Sequence, residues 1–137
     1  MNTSILLDKS TAMKIGDVFT PLKWGEFAIE KFGLLEKWMN GATIFDPTMG
    51  EGNLLEALIS FAIKNGNDLQ KLPIQNLFGV ELNEEYFMRF FMRMEEKYGV
   101  TIPHDNFKNE DILFQEKELK FDILFGNPPW QNFVDLP

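Results

Sequence analysis

Short apolar runs alternate along the chain with segments whose apolar residues recur every three or four positions. Residues 42–45, 76–80 and 121–125 are runs with the length of a buried strand, and 105–107 is a shorter strand candidate. Segment 53–64 has helical spacing instead, as does the segment that follows Asn83. The apolar faces of these two predicted helices consist of Leu54, Leu55, Leu58, Ile59 and Ala62, and of Phe87, Phe90, Phe91 and Met94.

Polar residues mark where the helices are expected to begin. Asn53 with Glu56 predicts an N-cap and its capping-box partner, and Asn83 followed by two glutamates predicts the start of the next helix. Upstream, Thr20-Pro21 predicts a leading helix, because proline suits the first helical turn. The apolar face of that leading helix is expected to consist of Trp24, Phe27, Ala28, Leu35 and Trp38.

The resulting order, a helix followed by β-α-β-α-β-β, predicts an α/β fold. Alternation of this kind gives a parallel sheet with helices on its faces, and ligands bind at the carboxyl ends of the strands. A polar residue lies at or near the end of each predicted strand: Asp46, Glu81, Asp111 and Asn127. We therefore expect a ligand site at that edge of the sheet.

Composition and charge narrow the classes of function. The 137 residues suit one domain with a hydrophobic core. The sequence has no cysteine and a single histidine, His104, so disulfides are excluded and no metal ligand is predicted. Polar residues interrupt every apolar run, and the first residues lack a signal-peptide pattern, so we expect a cytoplasmic protein without a membrane span. The net charge of −8 disfavours contact with nucleic-acid phosphates.

The segment 46–52, Asp-Pro-Thr-Met-Gly-Glu-Gly, predicts a sharp strand-to-helix turn. Its glycines permit positive φ and close approach of a ligand to the backbone. The flanking acids Asp46 and Glu51 disfavour a phosphate ligand and favour a cationic one with amino or hydroxyl donors, such as S-adenosylmethionine. Glu81, at the end of the next strand, could accept the hydroxyl protons of a ribose. An ordinary tight turn and a solvated strand end are the alternatives at this point.

The segment Gly126-Asn127-Pro128-Pro129-Trp130 carries the most specific chemistry. Consecutive prolines stiffen the backbone and remove two N–H donors, so that the carbonyls are left as acceptors. An amide side chain, fixed carbonyls and an indole ring suit a flat ring with an exocyclic amine, on which Trp130 could stack. The alternative is a Pro-Pro turn with Trp130 as a core aromatic.

Together these motifs resemble those of the S-adenosylmethionine-dependent methyltransferases that act on N6 of adenine in DNA. The hallmark of that family, D-P-x-x-G-x-G followed later by N-P-P-[Y/F/W], stands here at 46–52 and 127–130. The resemblance implies that Phe19-Thr20-Pro21 helps bind the methionine part of the cofactor, that Glu81 binds its ribose, and that Asp111 accepts from its adenine amine. The implied cofactor-binding residues are Phe19, Thr20, Pro21, Asp46, Pro47, Gly50, Gly52, Glu81, Leu82, Asp111 and Ile112. The implied catalytic residues are Asn127, Pro128, Pro129 and Trp130.

The same resemblance implies a Rossmann-like class I methyltransferase fold, truncated to about four strands of its parallel sheet. The order of motifs is similar to the gamma arrangement, in which a target-recognition domain follows the catalytic one. We therefore expect residues 1–137 to be the N-terminal part of a single domain from a restriction-modification enzyme, with the target-recognition domain absent. DNA would then be bound through regions outside this chain, and the chain alone would be inactive. An exposed sheet edge would favour homo-oligomers.

Two other classes stay open from the sequence. Protein-glutamine and RNA amino-methyltransferases fit the negative charge, although the Asp-Pro pair and the F-T-P element are more typical of DNA enzymes. A non-catalytic cofactor-binding fragment is the second alternative. In that reading Trp38, Phe90 and Phe91 are core residues, and Arg89 and Arg93 lie on a solvated helix face.

Overall fold

The computed structural model describes residues 21–111 and 120–126, which form a parallel sheet with helices packed on it. The strands are β1 Ile44–Asp46, β2 Leu77–Val80, β3 Phe107–Lys108 and β4 Ile123–Leu124. They lie in the order β3-β2-β1-β4, and all three pairings are parallel. The predicted α/β fold is therefore confirmed. The strand candidate at 105–107 is only partly right, because a 3-10 turn, His104–Asn106, precedes β3.

The helices are α1 Leu22–Phe32, α2 Leu34–Met39, α3 Asn53–Lys64 and α4 Glu84–Tyr98. Two further 3-10 turns, Leu69–Lys71 and Ile74–Asn76, connect α3 to β2. Buried residues from all four helices form one core with strand residues Ile44, Leu77 and Phe107. None of the helices in these described ranges is long and apolar enough to cross a membrane.

The leading helix differs from its prediction. Gly33, at φ 64°, ends α1 and starts α2, which changes the direction in which the following side chains point. The two helices therefore do not share the one continuous face that the prediction assumed. The buried residues of α1 are Gly25 and Ile29, whereas Trp24 and Phe27, predicted on the apolar face, are 53% and 55% exposed. Trp38 is fully buried as expected, and its indole Nε1 donates to the carbonyl of Pro73 over 3.0 Å.

The predicted N-cap is confirmed for α4 and wrong for α3. Asn83 caps α4 as expected, since its Oδ1 accepts from the backbone N of Tyr86 over 3.0 Å. At α3 the N-cap is Gly52, and Asn53 is already the first helical residue. Glu56 is not a capping-box partner. It is buried and bonded to side chains of α4 instead.

The strand order reverses at β1. The chain steps from β1 to β2 and then to β3 in one direction, whereas β4 pairs with the other side of β1. In open parallel sheets, ligands bind where the strand order reverses in this way. The opposite end of the β1–β4 pair is fastened by Asp122, whose Oδ2 accepts from the backbone N of Thr43 over 2.9 Å.

Candidate functional site

Asp46, the last residue of β1, lies at the reversal point and is only 1% exposed. Its Oδ1 accepts from the backbone N of Thr48 over 3.1 Å. Burial raises the pKa of Asp46 from 3.8 to about 7; the hydrogen bond from Thr48 lowers this pKa, and the nearby charge of Glu81 raises it. A buried carboxyl group that titrates near neutrality is typical of a functional site.

The glycine turn that follows Asp46 has the backbone that its sequence predicts. Gly50 and Gly52 adopt φ of 59° and 81°, in the left-handed region. At Gly52 a Cβ would lie 2.1 Å from Cδ1 of Phe90, so this position requires glycine for space as well as for φ. The turn is attached to β2, because the backbone N of Met49 donates to the carbonyl of Val80 over 3.0 Å.

Glu81 follows β2 directly, and its carboxylate faces the glycine turn. Oε1 accepts from the backbone N of Gly50 over 2.8 Å, and Oε2 accepts from the backbone N of Asn83 over 2.8 Å. The structure therefore brings Glu81 together with the turn, as the sequence predicts. Leu82 beside it is 66% exposed and offers apolar surface at the same edge.

The segment after β3 joins this edge through Asn109. Its Nδ2 donates to the carbonyls of Glu81 and Leu82, over 2.9 and 3.1 Å. Asp111, partly buried, lies two residues further along. This role of Asn109 was not predicted from the sequence. A carboxamide shortly after an edge strand is the signal that could have suggested this bond, since it can cap the carbonyls of a neighbouring strand end.

Gly126, which follows β4, packs directly against the start of the glycine turn. A Cβ on Gly126 would lie 2.8 Å from Oδ1 of Asp46 and 3.1 Å from Cδ of Pro47. The backbone N of Phe125 also donates to the carbonyl of Phe45 over 2.9 Å, which aligns the end of β4 with β1. The chain therefore leaves β4 in contact with Asp46.

Several predicted site residues lie outside the described residues: Phe19, Thr20, Ile112, Asn127, Pro128, Pro129 and Trp130. Pro21 is described and is the N-cap of α1, where its carbonyl accepts from the backbone N of Trp24 over 3.1 Å. It starts the helix one residue later than predicted. No hydrogen bond within 21–111 or 120–126 joins Pro21 to the glycine turn.

Charges around the turn are separated into an outer and an inner set. On the outer side, Arg89 and Arg93 of α4 pair with Glu51. On the inner side, neither Asp46 nor Glu81 forms an ion pair with any lysine or arginine of the described ranges. The inner edge therefore suits a cationic ligand that also carries hydrogen-bond donors. The same ranges contain no cluster of acidic and histidine side chains able to hold a metal ion.

Residues 6–134 match the family described as N-6 DNA Methylase. The chain belongs to that family. Among curated relatives, it is 30% identical over 126 residues to the Type II methyltransferase M.VspI of Vibrio sp. (strain 343). The matched region covers 90% of this chain and 28% of that relative. It is 28% identical over 127 residues to the Type II methyltransferase M.NspV of Nostoc sp. (strain ATCC 29411 / PCC 7524), covering 89% of this chain and 24% of the relative. The chain thus spans about a quarter of the length of these relatives.

Membership of the N-6 DNA methylase family explains the architecture and implies a methyl donor. The parallel sheet of the described residues, with its helices, is consistent with a Rossmann-like methyltransferase fold. The inner edge fits a positively charged donor by its chemistry, because Asp46 and Glu81 offer carboxylate oxygens that no described cation neutralises.

Proposed function

We propose that this chain carries the S-adenosylmethionine-binding part of a site-specific methyltransferase that acts on N6 of adenine in DNA. The observation that carries the proposal is the joint position of Asp46 and Glu81 around the glycine turn. Asp46 is buried at the end of β1, and Glu81 accepts from the backbone N of Gly50 over 2.8 Å. Two carboxylates at such an edge favour a ligand with a sulfonium, an ammonium and ribose hydroxyls.

In this proposal different site residues bind different parts of the cofactor. Glu81 accepts from the ribose hydroxyls, and the exposed Leu82 lies against the adenine ring. Asp46, with Pro47, Gly50 and Gly52, shapes the turn and supplies negative charge towards the methionine part. Asp111 accepts from the adenine amine of the cofactor. Phe19, Thr20, Pro21 and Ile112 remain predicted cofactor contacts.

The acceptor amine is proposed to be held by the segment that follows Gly126. S-adenosylmethionine supplies an electrophilic methyl group when bound. Asn127 and the carbonyl of Pro128 accept hydrogen bonds from the amine, which keeps its lone pair from delocalising into the ring. Pro129 stiffens this segment, and Trp130 stacks on the base, which is proposed to flip out of the duplex. The contact of Gly126 with Asp46 supports this arrangement, because it starts the segment beside the proposed donor site.

The remaining parts of the function are proposed for the larger protein. Residues 1–137 are proposed to be the N-terminal part of one methyltransferase domain of a restriction-modification enzyme that acts in the cytoplasm. The net charge of −8 supports a DNA-binding surface that lies mainly outside this chain. Homo-oligomers through an exposed sheet edge stay a prediction.

Calorimetric titration of the chain with S-adenosylmethionine and S-adenosylhomocysteine tests the cofactor assignment. Glu81→Gln is expected to raise Kd at least about tenfold, because hydrogen bonds to a charged acceptor are about twice as strong as neutral ones. Glu95→Gln, an equal charge change at an exposed position of α4, is the matched control and should leave Kd within about twofold. Absence of binding at millimolar ligand, or equal effects of the two substitutions, would overturn the assignment.

The acceptor is tested by incubating the chain with methyl-labelled S-adenosylmethionine and unmethylated duplex DNA. Only a trace of label is expected, and it should be recovered as N6-methyladenine. Labelling of RNA or of glutamine in added protein, with none in DNA, would favour the other amino-methyltransferases.

A further inference from the structure

Six charged side chains on the outer side of the glycine turn form a connected cluster, here called the outer ion network. Its members are Glu51 of the turn, Glu56 of α3, and Glu85, Arg89, Arg93 and Lys97 of α4. Arg89 Nη1 lies 2.8 Å from Glu51 Oε2, and within the described ranges the Arg89 guanidinium donates hydrogen bonds to the side chains of Glu51 and Glu85. The network joins the first turn of α3 to the exposed face of α4.

Glu56 is the fixed point of the outer ion network, because its side chain is only 3% exposed. Its Oε1 accepts from Nε of Arg93 over 2.7 Å, and its Oε2 accepts from Nζ of Lys97 over 2.7 Å and from the hydroxyl of Tyr98 over 2.8 Å. Burial pushes the pKa of Glu56 upward, but the hydrogen bonds from Lys97, Tyr98 and Arg93 outweigh it and leave this pKa below its ordinary value. Glu56 is therefore a bonded carboxylate at neutral pH.

Arg93 connects this buried carboxylate to the backbone of the glycine turn. While its Nε donates to Glu56, its Nη2 donates to the carbonyl of Glu51, and its Nη1 lies 3.7 Å from Glu51 Oε1. The planar guanidinium fixes the angle between these contacts, which the single ammonium of a lysine cannot do. The orientation of the Glu51 carbonyl is thus set from the outer side.

The inner side of the turn is fixed by Glu81 through the backbone N of Gly50. The peptide groups held by Glu81 and by Arg93 are separated only by the backbone of residues 50 and 51, and the flanking Gly50 and Gly52 both have positive φ. Glycine backbones have many accessible conformations, so ordering them costs more entropy than ordering other residues. Two opposed anchors select one of these conformations before any ligand arrives.

We propose that Arg93 is a positioning residue that holds the glycine turn in its ligand-binding conformation without touching the ligand. Affinity at the inner edge then depends on an arginine on the outer side. This inference rests on the proposed function, because the affinity concerned is that for S-adenosylmethionine or its product.

Two substitutions in α4 separate positioning from general stability. Arg93→Gln and Lys97→Gln each remove one positive charge and one hydrogen bond to Glu56, but only Arg93 reaches the Glu51 carbonyl. We expect Arg93→Gln to raise the Kd of S-adenosylhomocysteine about tenfold, equivalent to about 1.4 kcal/mol, and Lys97→Gln to change it less than about twofold. Both should lower the urea midpoint of unfolding. Arg93→Lys keeps the charge and replaces Arg93→Gln in this test if the glutamine variant fails to fold. It should weaken binding of S-adenosylhomocysteine as well.

The amide resonances of Gly50 and Gly52 in ligand-free protein provide the second readout. They are expected to shift in Arg93→Gln and to stay in place in Lys97→Gln. Equal Kd values for the two variants, or unshifted glycine amides in Arg93→Gln, would overturn the positioning role. If the unsubstituted chain does not bind S-adenosylhomocysteine, the proposed function is refuted instead. The amide resonances of Gly50 and Gly52 would still show whether Arg93 orders the turn.

Discussion

Replacing Asp46 with asparagine should remove most of the pH dependence of stability between pH 5 and 8. The folded pKa of Asp46 is about 7, against an ordinary value of 3.8, and burial is the largest cause. Between these two pH values the folded chain therefore holds one proton more than the unfolded chain. The stability that this proton supplies is fully present below pH 3.8 and is lost as the pH rises through 7.

The size of the effect follows from the difference between the two pKa values. About three pKa units correspond to about 4 kcal/mol over the whole range, at 1.36 kcal/mol per unit. The part that falls between pH 5 and 8 is about 2.5 kcal/mol. Glu56 does not interfere, because its lowered pKa confines its contribution to pH values below about 4.5.

The assay is urea unfolding of both proteins from pH 5 to 8, followed by tryptophan fluorescence, to which the fully buried Trp38 contributes. Asparagine is isosteric and keeps an oxygen for the backbone N of Thr48. The free energies of unfolding should be similar at pH 5, and the asparagine variant should be the more stable protein at pH 8. Parallel curves for the two proteins would refute the reasoning, since they would show that Asp46 does not hold the extra proton.

Gly52→Ala and Glu56→Gln test the contacts around the turn, and Gly66→Ala is the control for the first of them. Gly52→Ala should destabilise the chain by about 2–5 kcal/mol, because it combines a left-handed φ with a Cβ placed 2.1 Å from Phe90. Gly66→Ala, at a position with φ 84° and no atom within 4 Å of the added Cβ, should cost only about 1 kcal/mol. Equal urea midpoints for the two variants would contradict this account. Glu56→Gln should cost about 3 kcal/mol at pH 7, since it removes the buried carboxylate that accepts from Arg93, Lys97 and Tyr98. The loss should shrink as the pH falls from 4.5 through the lowered pKa of folded Glu56, below which the native glutamate is neutral as well, and a pH-independent difference would contradict the role of its charge.

Much of the fold could be predicted because the apolar spacing is local information. Segment 53–64 forms α3 with those bounds, and Asn83 caps α4 as its position suggests. The leading helix could not be predicted as well, because its apolar face depends on where the chain bends. Gly33 divides the segment into two helices, and within the first of them Ile29 is buried whereas Trp24 is exposed.

The inner side of the candidate site, with Asp46 and Glu81, could be predicted from the sequence. The outer ion network could not. Asp46 and Glu81 follow strands, and parallel strands bring their carboxyl ends to one edge, so their proximity follows from topology. Arg93 was expected to be solvated, yet it is only 26% exposed and bonded to Glu56. Those two residues lie 37 positions apart, and their contact depends on how α3 and α4 pack, which local periodicity does not contain.

The distribution of charge suggests why the ligand-free site is less stable than it could be. The described cations near the turn are all directed to the outer ion network, while Asp46 is buried with only a backbone donor and Glu81 lies near it. An arginine on the inner side would relieve that cost, but it would also occupy the place that a cationic donor needs. A buried carboxyl group without a cationic partner is therefore expected at a site where the ligand itself supplies the positive charge. On this reasoning Asp46, whose burial lowers the stability of the free chain at pH 8, is also proposed to favour cofactor binding.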